Sequence, residues 1–157
     1  KFVPPEFELT PEAQVHYDAG RRAAAENKVY RDDIGQCWPA GMPIIMTRVW
    51  PIAMIQLPTA IYMISEFMNS FRVIYLDGRQ HTDPDVVVRT FNGESIGRWE
   101  GDTLVVDTRY FETDNHYIDR GIPISDEFAM TERITMPTPA KRIGSVRHQD
   151  DPEPDPE

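Results

Sequence analysis

Between residues 44 and 77 the chain carries four short apolar runs, 44–50, 52–56, 60–68 and 71–77. They are rich in Ile, Val, Tyr and Phe, and each is bounded by Pro, Asn-Ser or Asp-Gly. Runs of this kind read as strands, and breaks this short leave no room for crossover helices, so neighbours are expected to pair antiparallel. The prediction is a mainly β protein: an antiparallel meander of about six to eight short strands curled into a lipocalin-like barrel or half-barrel, with one N-terminal helix outside. That helix is announced by Thr10-Pro11-Glu12, an N-cap, a proline at the first helical position and an acid favoured by the dipole. Its thin, Ala-rich apolar face predicts a cover over the core, running to near Asn27.

Two hairpins can be written out. A turn at Met68-Asn69-Ser70 would set Phe67 against Phe71, Ile64 against Ile74 and Tyr62 against Leu76, with Glu66 and Arg72 as a cross-strand ion pair. A turn at Glu100-Gly101-Asp102 would join 95–99 to 103–108, with a loop of either two or three residues. A last strand is expected over 128–136. Residues 1–9 form an extended arm, 10–137 a single β domain and 138–157 a tail rich in proline and acid. The arm and the end of the tail are expected to gain order only from a neighbouring chain, since their prolines and sparse apolar residues cannot offset ordering entropy.

The net charge of −10 and the lack of a basic cluster argue against nucleic acid as a partner, because phosphate binding is driven by Lys and Arg. No apolar stretch reaches the roughly 20 residues of a spanning helix. One cysteine, Cys37, excludes an internal disulfide and a thiolate cage; without a basic neighbour it reads as a buried, unreactive thiol. The four histidines stand at no metal-binding spacing, so neither a metal nor any other cofactor is expected. Gly93-Glu94-Ser95-Ile96-Gly97 matches the hydrolase pattern G-x-S-x-G, but that elbow needs a following helix and here a hairpin follows.

Five of the seven methionines, Met42, Met46, Met54, Met63 and Met68, fall in one stretch among Trp38, Trp50, Tyr62 and Phe67. Such residues line ordinary cores and also greasy binding surfaces. The candidate ligand-binding set is Trp38, Met42, Trp50, Met54, Tyr62, Met63, Arg72 and Tyr75. If Arg72 does not neutralise Glu66, Glu66 becomes a general base, with Tyr62 or His116 stabilising an oxyanion. His116 sits with Asp114 and Asp119 on an expected rim loop, where an exposed histidine is the plainer reading. Asp107, beside Arg98 and Arg109, reads as a salt-bridge cluster.

The segments Arg72-Val73-Ile74-Tyr75-Leu76-Asp77-Gly78-Arg79 and 93–108, with Glu132-Arg133 and Cys37-Trp38-Pro39-Ala40-Gly41-Met42-Pro43, resemble a family of mostly uncharacterised exported bacterial proteins. Its motifs are R-x-I-Y-x-D-G-R and G-x-S-I-G-x-W-E-G-D-T-L-V-V-D-T. The resemblance covers about residues 10 to 136 and implies export and a mostly antiparallel β domain. Relatives continue with a further strand-forming segment after Met136, where this chain has Pro137-Thr138-Pro139.

Together these features predict a periplasmic or secreted β module. It would bind an apolar small molecule or dock as an accessory subunit on a larger protein complex. A cofactor-free lyase or isomerase built on Glu66 is the alternative.

Overall fold

A computed structural model of the chain describes residues 8–31, 35–118 and 122–135. The arm and the tail on which the sequence-based expectations fall lie, apart from Glu8 and Leu9, outside the described residues. Helix α1 (Pro11–Ala25) starts as its sequence dictates: Thr10 Oγ1 accepts the Ala13 N–H at 3.2 Å, and Pro11 occupies the first turn. It ends on Asn27, which takes a φ of 55° while the Asn27 and Lys28 amides donate back to Ala24 O and Ala23 O. This is the double hydrogen bond of a Schellman cap, with Asn in glycine's place. Gly20 is buried, Ala13, Tyr17, Ala19 and Ala23 are half-buried, and Val15 is exposed.

Six strands follow: β1 (Ile52–Gln56), β2 (Ala60–Ser65), β3 (Ser70–Tyr75), β4 (Glu94–Glu100), β5 (Thr103–Arg109) and β6 (Met130–Thr135). They form one sheet in chain order, curled into a half-barrel, with β1 and β6 as the edges among the described residues. Four of the five pairings are antiparallel. The fifth, β3 with β4, is parallel and only two residue pairs long, Ile74 with Ser95 and Tyr75 with Ile96. The expectation of a purely antiparallel meander is corrected there: the 76–93 connection is long enough to carry the chain back to the start of a parallel neighbour without a helix.

Three further expectations change. Residues 44–50 are not a strand, because Ile45, Met46 and Thr47 donate their amides to Gly41 O, Pro43 O and Ile44 O and close a 3₁₀ turn over Ile44–Met46. The β2–β3 hairpin pairs Ser65 with Ser70, Ile64 with Phe71 and Met63 with Arg72, a shift of three residues from the predicted register. Its loop holds four residues, Glu66 to Asn69, and closes because Met68 and Asn69 both adopt left-handed φ values of 58° and 49°. An odd shift exchanges the two faces of a strand. Tyr62 and Ile64, expected on the apolar face with Ile74, therefore turn outward beside Val73 and Phe71, Arg72 stays on the inward face opposite Met63, and the expected Glu66–Arg72 pair does not form. Between β4 and β5 the loop resolves to two residues, Glu100 pairing with Thr103 and Gly101 taking the positive φ at 60°.

The concave face is filled. Ile61, Met63, Ile74, Leu104 and Val106 form one buried cluster, and Gly97 sits where an added Cβ would meet Ile74 Cγ2 at 2.7 Å. A second cluster, Ala40, Met42, Ile45, Phe111 and Ile124, comes from the loops and covers the opposite end of the same face. Met42 is fixed there by donating its amide to Phe91 O at 3.0 Å.

Candidate docking face

The outward side of β1–β3 follows from the corrected register. Cross-strand neighbours share a face, so Ile55, Tyr62 and Val73 make one outward row and Ala53, Ile64 and Phe71 the next. Ile55, Ile64 and Phe71 are 50%, 41% and 53% exposed, and Tyr62 stacks on Phe71 with ring centroids 5.5 Å apart. Leu57 adds exposed apolar surface on the same side, while Met54, opposite Met63, is exposed on the other face of this edge strand. From residue 49 to 65 there is no Asp, Glu, Lys, Arg or His. A soluble domain scatters single apolar residues over its surface; a contiguous uncharged patch marks a contact face.

On the inward side of β3 the opposite arrangement holds. Arg72 is 2% exposed and its guanidinium has an acceptor for each of its five N–H groups. Nε donates to Ser95 Oγ at 2.9 Å and Nη2 to Thr108 Oγ1 at 2.8 Å. Both Nη atoms reach the Glu132 carboxylate, Nη1 at 3.1 Å, and Nη1 also lies 3.7 Å from Met42 Sδ. The network ties β3, β4, β5 and β6 together, and it uses Ser95, the residue at the centre of the G-x-S-x-G match, as an acceptor for arginine.

The histidines lie elsewhere. His116 is buried, contrary to the plainer reading, with Nδ1 2.7 Å from Glu112 O and Nε2 2.8 Å from Met42 O. A neutral imidazole has one N–H, so it donates to only one of these carbonyls at a time. Burial holds the His116 pKa below its ordinary value, partly opposed by the two carbonyls, which favour the charged ring. His81 forms a cluster with acids distant in sequence: Nδ1 lies 2.8 Å from Glu94 Oε2, and Nε2 lies 3.7 Å from Asp107 Oδ2. Glu94 also accepts from the Thr82 amide and hydroxyl. Burial alone would raise the Glu94 pKa, but these hydrogen bonds outweigh it and the net shift is downward. Asp107 pairs with Arg109 as expected, whereas Arg98 turns to Glu100.

The predicted site residues are spread over four environments. Met42, Met63 and Arg72 are interior; Tyr62 and Tyr75 are partly buried, with Tyr62 on the outer face; Trp50 and Met54 are exposed; Trp38 packs obliquely on Phe91. Arg72 and Tyr75 do share a groove of about 760 Å³ with Phe71, Val86, Val88 and Asn92, bounded by β3 and the 82–95 segment. The enzyme set is not assembled among the described residues: Glu66 is exposed in the β2–β3 loop, Tyr62 stacks on the outer face, and His116 is held by carbonyls in the loop core. Cys37 is exposed rather than buried. No helix among the described residues is long and apolar enough to cross a membrane. The residues missed from sequence were Ser95, Thr108 and Glu132, whose role depends on Arg72 facing inward; the E-R pair at 132–133 was the available signal.

Fold and face together define a small β half-barrel with a filled interior and an apolar exterior leaf. No family description, curated protein or solved structure matches the chain at a significant level.

Proposed function

We propose that this chain is an exported docking module that seats on a larger protein through the outer leaf of β1–β3. One observation carries the reading. Ile55, Ile64 and Phe71 stand about half exposed, the first two within a stretch, 49–65, that carries no charged side chain, while Met63 and Ile74 already fill the concave side behind them. The filled interior leaves no lumen behind β1–β3, so a small molecule would have only the groove beside Phe71 and Tyr75, whereas the exposed apolar leaf suits a protein surface. A periplasmic or secreted setting is supported by the family resemblance of the 72–79 and 93–108 motifs.

The test is native mass spectrometry of the protein purified gently from its source. A co-purifying larger protein is expected, and Ile64→Lys or Phe71→Lys should lose it while the fold is kept. Recovery of the chain with a bound small molecule and no protein would reject the docking reading.

A further inference from the structure

We infer that the free edge of β1 pairs with the same edge of a second copy of this chain, antiparallel, about a twofold axis through Met54. The inference rests on the docking reading and names one partner of that leaf, leaving the outer face itself open to the larger protein.

The orientation of the β1 backbone comes first. Leu57 donates its amide to Ala60 O at 2.8 Å, and Glu66 donates to Pro51 O at 3.1 Å. Both bonds join positions that are opposite one another in the β1–β2 ladder, so residues 51, 53, 55 and 57 turn their polar groups toward β2. Ile52, Met54 and Gln56 therefore direct theirs away from the sheet. A twofold axis at Met54 sets Met54 opposite its own copy and Ile52 opposite Gln56, so all the outward groups of 52, 54 and 56 find partners. The ladder stops by itself, because Pro58 has no N–H to extend it.

Charge selects the same edge. A chain of net charge −10 meets its own copy with repulsion wherever the contact carries its average charge, and β1 with its hairpin partner carries none. The other free edge among the described residues, β6, bears Glu132 and Arg133. Edge strands are ordinarily blunted by lysine, an internal proline or a bulge. β1 has none of these between residues 52 and 56, its register is unbroken, and Met54 and Ile55 are exposed on its two faces. In the paired state Ala53 lies opposite the copy's Ile55, continuing the apolar rows across the axis into a double-width leaf.

The full-length chain, sedimented at tens of micromolar, should run at twice its 18.1 kDa. Register is read by cross-linking in a Cys37→Ser background under mild oxidation. Ala53→Cys mixed with Ile55→Cys should give at least tenfold more disulfide-linked dimer than either variant alone. Directly opposed, non-hydrogen-bonded positions lie within disulfide reach, and a residue and its own copy two positions away do not. Met54→Pro removes an N–H that β2 does not use, so it should leave the circular dichroism unchanged and give a monomer; Gln56→Pro reads the same point. A monomeric wild type, a dimeric Met54→Pro, or equal cross-linking in mixed and unmixed samples overturns the self-pairing. If the chain is monomeric yet retains a larger protein that Ile64→Lys releases, only the self-pairing fails. If neither association is found, the docking reading fails with it.

Discussion

Phe71 and Arg72 are adjacent in the chain and lie on opposite faces of one strand, and each is where the other would ordinarily be. The arginine is inside, with five acceptor atoms on four residues; the phenylalanine is outside, stacked on Tyr62. Burying a charge is tolerable only when it is paired and its hydrogen bonds are complete, and the interior meets that condition through residues on strands remote in sequence. No comparable packing requirement accounts for the outer leaf, since the apolar core lies on the other side. The contrast separates two kinds of inversion: the inward arginine is demanded by assembly of the sheet, whereas the outward apolar leaf has no such demand within the described residues and is the feature on which the proposed docking rests.

The comparison breaks most sharply at Glu132. Glu132→Ala leaves Arg72 buried without its counter-charge and should cost about 3–5 kcal/mol in urea unfolding, with the loss largely recovered by also replacing Arg72 with Met. Gly97→Ala is next: the new methyl would crowd Ile74 and Leu76 on the filled face, for an expected loss of about 1–3 kcal/mol by the same measurement.

His116 supplies a pH dependence. The folded protein keeps this ring neutral to lower pH than the unfolded chain does, so the unfolded chain takes up the proton first. Stability from this site is full above about pH 6.5 and falls as pH drops below that value, by at most about 1.4 kcal/mol per pH unit. His116→Gln should flatten that slope, and unchanged curves would reject the assignment. The smallest effect is expected outside: Ile64→Lys should change stability by less than about 1 kcal/mol while abolishing partner retention. A large loss of stability there would make the leaf part of the core and erase the contrast.

Much of the fold could be read from local signals. Thr10-Pro11 placed the helix start, Glu100-Gly101-Asp102 placed a hairpin, and the apolar runs located β1, β2 and β3. What could not be read was parity. Met68 in a left-handed conformation runs against the preference of a long side chain, and without it the hairpin register fell three residues away. That one slip reversed inside and outside for Tyr62 and Ile64. The candidate region between Trp38 and Tyr75 was visible as a concentration of Met and aromatics. Which of them face solvent was not, because Arg72 finds its carboxylate 60 residues away.

The two-pair seam between β3 and β4 has a consequence for how the molecule comes together. On one side, β1–β3 zip through tight local turns; on the other, β4 and β5 do the same. Uniting the halves waits on closure of the long span between Arg72 and Glu132, an entropic step that local pairing cannot shorten. The two leaves should therefore gain amide protection early and separately, and the seam last. Until that rivet is set, the uncharged edge of β1 belongs to a half-made sheet, and the same strand that can join two finished copies is then the first place where unfinished ones would stick together.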